Sequence, residues 1–185
     1  QLFELTFDLS GHDMFVTWNA GACLFVPHRG VALFSADLVI DHELTVWFSV
    51  PSVVSELMRS RKLTPGVFQS LRLAFFCGER MPIELAQAMK IAAPNAQIVN
   101  IYGPTEATIA FTHFAWDGKD LPEICNDLPI GYPLPEQQVF LLDSKHQLVP
   151  PNTVGEMYLV GSQVADGYWK NSKQTVARYH NLVLN

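Results

Sequence analysis

The sequence predicts an α/β fold: a doubly wound parallel sheet with helices on both faces, followed by a smaller β-rich region. Three observations carry that prediction. Short, almost uninterrupted apolar runs recur along residues 1–116, and such runs suit strands buried on both faces. Segments in which apolar residues recur at helical spacing separate those runs, as strand–helix–strand units require. After about Phe114 the helical spacing disappears. Short β-leaning runs punctuated by Pro, Asn and Gly take over, the pattern of an antiparallel sheet or small barrel. The boundary is expected between Trp116 and Pro129, which assigns residues 1–116 to the α/β part and 117–185 to the β-rich part.

Leu2 to Phe7 is short, apolar-rich and β-leaning, so a strand is expected there, ending at Asp8. Ser10 suits the cap of a helix whose Met14, Phe15 and Trp18 fall at i, i+1 and i+4, with Gly21 as its stop. Ala22 to Val26 is the next expected strand. Ser35 is placed to cap a helix over Ala36 to Glu43, and the β-formers of Leu44 to Val50 follow as a strand. Pro51 suits a first helical turn, where its missing N–H is not needed, and Val54, Leu57, Met58 and Arg61 share a face. Leu71 to Cys77 is a further strand, ending at Gly78-Glu79. Pro82 opens a helix through Ile83, Leu85, Ala86, Met89 and Ala92, which Pro94-Asn95 closes. Gln97 to Ile101 is the last expected parallel strand, ended by Gly103-Pro104. Val139 to Asp143 and Glu156 to Gly161 are the expected strands of the β-rich part.

A chain of 185 residues, 49% of them hydrophobic, is enough for one domain or one and a half with a sizeable core. The net charge of −6 and the lack of any Lys/Arg block argue against a nucleic-acid surface, which needs basic clusters to displace phosphate counterions. Cys23, Cys77 and Cys125 are odd in number and far apart, without a C-x-x-C, which points to buried reduced thiols in a cytoplasmic protein. No His pair stands at metal-ligand spacing. No apolar run has membrane-spanning length, and the opening residues lack a secretory pattern. The chain opens at Gln1 directly in a strand-like run, so it is expected to be a piece of a longer protein.

Ligands of open parallel sheets collect outside the carboxyl ends of the strands. The expected strand ends bring Asp8 and Leu9, Ser52, Cys77 and Gly78, and Asn100 through Glu106 to one rim. Thr105 and Glu106 offer a hydroxyl and a carboxylate to a nucleotide phosphate and its magnesium ion, because hard cations take oxygen ligands. The alternative is a solvated polar turn. Asp8 has two readings: it caps the following helix, or, if partly buried, it pairs with a substrate ammonium. His12, on the first helical turn, has no Ser or Cys nucleophile pointing to it. Phe75 and Cys77 also suit a core, Gly78 a tight turn, and Glu156 a structural carboxylate.

Phe7-Asp-Leu-Ser10, Phe76-Cys-Gly-Glu79, Asn100-Ile-Tyr-Gly-Pro-Thr-Glu106, Pro129-Ile-Gly131 and the run from Gly155-Glu-Met-Tyr to Asp166-Gly-Tyr168 resemble, in order and spacing, motifs of the adenylate-forming superfamily. They are most similar to the adenylation domains of nonribosomal peptide synthetases and D-alanine-carrier-protein ligases. The resemblance implies a flavodoxin-like α/β subdomain followed by an incomplete distorted barrel. It implies a ligase that joins ATP and an amino acid into an acyl adenylate, then passes the acyl group to the phosphopantetheine thiol of a carrier protein. By this resemblance Asn100, Tyr102, Gly103 and Gly78 bind the adenine side of ATP, Thr105 contacts phosphate, and Glu106 binds Mg2+. Asp8, Leu9, His12, Ser52, Phe75, Cys77, Ile101, Ile109 and Ala110 line the amino-acid pocket, with Asp8 meeting the amino group and bulky Phe75 favouring a small or medium substrate.

The sequence departs from the family in lacking a phosphate loop before Phe7, a ribose-binding Thr-Gly-Asp after Tyr179, and a domain with the catalytic Lys. The segment alone is therefore expected to be inactive, since the positive groups that stabilise the transferring charge are missing. An acyl- or aryl-CoA ligase fragment is a sister reading, and a non-catalytic nucleotide-binding or carrier-docking module is the reading from another class.

Overall fold

The computed structural model describes residues 1–27, 36–119, 121 and 126–181. Helices α1 (Leu9–Asn19) and α2 (Ala36–Asp41) precede strand β1 (Val46–Ser49), helix α3 (Pro51–Arg59), strand β2 (Leu73–Phe76), helix α4 (Ile83–Ala92) and strand β3 (Gln97–Tyr102). A single 3₁₀ turn, Thr105–Ala107, leads to β4 (Thr112–Trp116) and the short β5 (Tyr132–Pro133). Strands β6 (Gln137–Leu142) and β7 (Glu156–Gly161) and helix α5 (Ser172–Arg178) complete the described elements.

Strands β1, β2 and β3 lie side by side in parallel, and β4 and β5 extend the sheet antiparallel. Strands β6 and β7 form a separate antiparallel pair. Among the described residues both sheets are open, so the β-rich part is a two-stranded sheet there and not a closed barrel. The parallel-rich sheet with helices on both faces is the architecture expected from the strand and helix periods.

Register explains where the core sits. Trp47, Ala74, Ile98 and Trp116 stand in one cross-strand row, and Phe48, Phe75 and Val99 in the next. Side chains alternate along a strand, so adjacent rows face opposite sides of the sheet. The first row joins Val54 and Leu57 of α3, Met89 of α4, and Phe68 and Leu71 in a fully buried cluster. The second row joins Leu9 of α1 in a smaller cluster on the other face.

Helix α3 begins where Pro51 fixes the first turn, but Val50 at its cap has no side chain that can accept a hydrogen bond. Glu79 supplies the acceptor from the end of β2: its carboxylate accepts from the Ser52 N–H at 2.9 Å and from the Ser52 hydroxyl at 3.0 Å.

Several expected elements differ. Leu2 to Phe7 and Ala22 to Val26 are not strands. A β-leaning run becomes a strand only where another edge accepts its backbone bonds, and among the described residues the bond here comes from the Gln1 amino group, just before the first segment, to the Phe25 carbonyl at 2.6 Å. Helix α1 starts before Ser10, which sits inside its first turn and donates its hydroxyl to Phe7 O at 2.7 Å. Asp8 holds the cap position instead. Helix α2 ends at Asp41, before Glu43, and Ser35 lies outside the described residues. Strand β4 went unanticipated because its burial is confined to Thr112 and Trp116 at its ends with Phe114 half-buried between. Helix α5 buries no residue, so no apolar stripe announces it, although its cap Asn171 accepts from Gln174 N–H at 3.2 Å. Cys77 is buried as expected, Cys23 is exposed, and Cys125 lies outside the described residues. No described helix is long and apolar enough to cross a membrane.

Candidate active site

On the α1 face of the sheet, Leu9, Phe48, Cys77, Val99 and Ile101 are buried together, with Phe3, Phe75, Ile109 and Ala110 packed partly buried against them. The rings meet edge to face: Phe48 lies 4.9 Å from Phe3, 4.8 Å from His12 and 6.1 Å from Phe75 between centroids. That is the arrangement aromatic quadrupoles prefer. His12 is thus built into an apolar wall. Its Nδ1 is buried without a hydrogen-bond partner, 3.7 Å from an Asp13 oxygen. Burial pushes the Cys77 thiol up to about 11, the Asp8 charge adding to it and the N–H groups of Gly78 and Gly103 opposing it. The group is therefore a neutral thiol at ordinary pH.

Asp8 stands at the head of this recess. Its carboxylate makes no capping bond to α1, and no described residue gives it a hydrogen bond or ion pair. Asp8 thus holds the cap position without capping through its side chain, and its partly buried carboxylate is close enough to Cys77 to help raise the thiol.

Around the ends of β2 and β3 lies a cavity of about 500 Å³ lined by the 78–81 and 100–104 segments together with Asp127, Leu128 and Ile130. Asn100 is buried, and its amide donates to the carbonyls of Leu128 at 3.1 Å and Pro129 at 2.9 Å. Both of its N–H donors are thus spent on seating that segment, which leaves its carbonyl oxygen for a ligand. Arg80 pairs with Asp127 beside it. Tyr102 is half-buried, and its hydroxyl is pushed up by burial first and then by Cys77 and Glu106. Gly103 is required by packing: a Cβ there would stand 2.3 Å from the Ile109 carbonyl oxygen. Ile101 belongs to both the apolar recess and this cavity, so the two adjoin across β3.

The turn after β3 closes the rim. Thr105 is exposed and Glu106 partly so. The Tyr168 hydroxyl donates to Glu106 Oε1. That bond, with help from Glu106's own N–H and the charge of Arg178, holds the carboxyl below the usual carboxylate range. Among the described residues no group of three or more His, Cys, Asp or Glu side chains is close enough to cage a metal ion.

The structure thus gathers Leu9, Phe75, Cys77, Ile101, Ile109 and Ala110 into one recess, with His12 edge to face in its wall and Asp8 at its head. Gly78, Asn100, Tyr102 and Gly103 line the cavity beside it, and Thr105 and Glu106 follow on the rim turn. Ser52 does not join them; it is exposed on the first turn of α3 with its hydroxyl and N–H held by Glu79. Phe3, Phe48 and Val99 enter the recess without having been picked out. For Phe48 a signal existed, since it alternates with Trp47 and Ser49 and must face the opposite side. Tyr168 closes a run that resembles a family motif, but nothing in the sequence pairs it with Glu106, 62 positions away.

The AMP-binding enzyme family matches residues 1–169. An L-proline--[L-prolyl-carrier protein] ligase of Streptomyces coelicolor is 33% identical over 182 residues, covering 96% of this chain and 34% of that protein. A D-alanine--D-alanyl carrier protein ligase of Lactiplantibacillus plantarum is 31% identical over 96% of this chain and 35% of its own length. The solved structure of the Vibrio cholerae adenylation domain AlmE in complex with glycyl-adenosine-5'-phosphate superposes with a TM-score of 0.90 at 34% identity, over 98% of this chain and 35% of that one. The chain spans about a third of the length of these relatives. With a family match over nearly all its residues and the same fold in a solved adenylation domain, this chain belongs to the AMP-binding enzyme family.

Proposed function

We propose that the chain is the substrate-binding portion of an amino-acid-activating ligase, in which ATP and an amino acid give an aminoacyl adenylate and pyrophosphate and the aminoacyl group passes to a carrier-protein phosphopantetheine thiol. One observation carries this reading. A recess with apolar walls and a lone carboxylate, Asp8, adjoins a cavity lined by Gly78, Asn100, Tyr102 and Gly103, and Ile101 is common to both. A zwitterion with a modest side chain suits the first, and a planar base stacked on Tyr102 suits the second. Their adjacency is what joining two substrates needs.

In this reading Asp8 pairs with the substrate ammonium, and Leu9, Phe75, Cys77, Ile101, Ile109 and Ala110 enclose its side chain, with His12 in the wall. Ser52 is left out, because it is exposed on α3 and both of its donors go to Glu79. Gly78 lets the chain pass close to the base, the Asn100 carbonyl oxygen faces it, and Thr105 reaches the phosphates. The donor set fits Mg2+: Glu106 has a second oxygen that no other described side chain takes, and magnesium is held by one or two carboxylates together with substrate phosphates. When bound, the ion neutralises charge around the α-phosphate as pyrophosphate leaves. A cytoplasmic setting suits a reaction that consumes ATP. Because β5 extends the larger sheet and Leu128 is buried in its helix-covered core, we place the subdomain boundary after Pro133 and not between Trp116 and Pro129.

Amino-acid-dependent pyrophosphate exchange by the complete protein, across a panel of amino acids and simple carboxylic acids, tests the reading. Exchange with one amino acid or a few of similar size supports it. Exchange with acids lacking an amino group points to a CoA-ligase-like enzyme, and silence from folded protein with ATP and magnesium overturns an activating function.

A further inference from the structure

The rim turn carries two consecutive non-glycine residues in the left-handed region, Thr108 at φ 57° and Ile109 at φ 71°. Both are β-branched, which makes that conformation costly, and it persists only where the surroundings over-determine it. The over-determination comes from the segment that follows β7. Gln163 donates from one Nε2 to the carbonyls of Thr108 at 3.2 Å and Ala110 at 3.1 Å, and its own carbonyl accepts from the Thr108 hydroxyl at 2.8 Å. The Ala165 N–H donates to the Glu106 carbonyl at 2.8 Å, and the Tyr168 hydroxyl to the Glu106 carboxylate. Tyr168 is anchored in turn: its N–H donates to Thr175 Oγ1 at 2.9 Å, and its ring meets Tyr179 edge to face at 5.7 Å. Gly167 lets this happen, since a Cβ there would stand 2.4 Å from the Thr175 methyl.

One strap from the β-rich part therefore holds both ends of a single turn. One end carries Glu106, and the other carries Ile109 and Ala110, which pack in the apolar recess. We propose that Gln163 and Tyr168 are positioning residues, Gln163 setting the recess wall at Ile109–Ala110 and Tyr168 setting the Glu106 carboxylate, so that the two substrate sites are tuned by different residues of the same strap. The functional half of this inference rests on the adenylation reading; the structural half does not.

The test uses the complete protein carrying Gln163→Glu or Tyr168→Phe. The first keeps the side-chain shape but removes the amide donors, and the second removes only the hydroxyl. Hydrogen exchange of peptides covering 105–111 should quicken about tenfold in Gln163→Glu, while peptides from β2 and β3 stay as they were. Unchanged exchange in that segment overturns the strap, whether or not the enzyme is active. In kinetics, Gln163→Glu should raise KM for the amino acid about tenfold with KM for ATP unmoved. Tyr168→Phe should raise the magnesium concentration for half-maximal exchange by about tenfold and weaken nucleotide-dependent Mn2+ binding, read by electron paramagnetic resonance, with KM for the amino acid unmoved. Equal effects of both variants on both substrates overturn the division of roles. A silent wild-type enzyme would sink the adenylation reading, and the hydrogen-exchange comparison would still decide the strap.

Discussion

Asp8 is the residue whose environment changed most between its two readings. A half-buried carboxylate with no partner among the described residues is unfavourable unless something arrives to pair with it. Replacing Asp8 with Ala in the complete protein should raise KM for the amino acid roughly thirtyfold or more, the cost of truncating one side of a desolvated charge pair. KM for ATP should hold steady, and an equal rise in both would assign Asp8 to the fold. Glu106→Gln removes the charge but keeps the shape of a rim side chain that can still accept from Tyr168, so pyrophosphate exchange should fall on the order of a hundredfold while the unfolding midpoint drops only slightly. Full exchange at ordinary magnesium would dismiss the metal role. Cys77 offers a test by pH. An unfolded thiol ionises near 9.0, whereas the folded one waits until about 11. Above pH 9 the unfolded state alone sheds its proton, so the stability of the protein should decline between those values and level off beyond, by on the order of 2 kcal/mol. A Cys77→Ala variant should lack that part of the decline, and alkylation at pH 8 should label exposed Cys23 and spare Cys77.

At the scale of elements, α3 shows how a helix start is completed from elsewhere in the chain. Pro51 opens the helix, but the acceptor for its orphan N–H comes from Glu79, across 27 positions. The pair is solvent-exposed, so Glu79→Ala should cost only about 0.5–1 kcal/mol. The loss should appear as faster hydrogen exchange confined to the first turn of α3, and a change spread over the sheet would refute capping. Strand β2 makes the complementary point with neighbours on opposite faces. Phe76 is fully buried in the helix-covered core, while Phe75 is partly buried beside His12 in the recess.

For the molecule as a whole, that contrast separates stability from selectivity. Phe76→Ala should lower the free energy of unfolding by about 3–5 kcal/mol, because neighbouring core atoms fill the void only in part. Phe75→Ala should cost less and, on the proposed reading in which its ring shortens the amino-acid pocket, should shift kcat/KM in pyrophosphate exchange toward larger amino acids. A shift in selectivity from Phe76→Ala alone would reverse this assignment of faces. The strap from β7 to α5 also acts at this scale, tying the β-rich part to the rim of the larger sheet.

The strand and helix periods, read alone, determined the buried runs at β1, β2 and β3 and the helices between them, because apolar spacing is local information. The turn residues Gly103-Pro104 likewise located the rim, and strand-end reasoning brought Cys77, Gly78 and Asn100 to it. Only the tertiary structure decided whether a β-leaning run would find an edge. Leu2 to Phe7 and Ala22 to Val26 did not, whereas Thr112–Trp116 did. It alone decided that Ser52 serves Glu79, that Asp8 occupies the cap position without a side-chain capping bond, and that Tyr168 reaches Glu106. The reason is physical: periodicity records which face of an element meets the core, whereas the partner of a polar group is chosen by whatever the fold brings within about 3 Å, however distant in sequence.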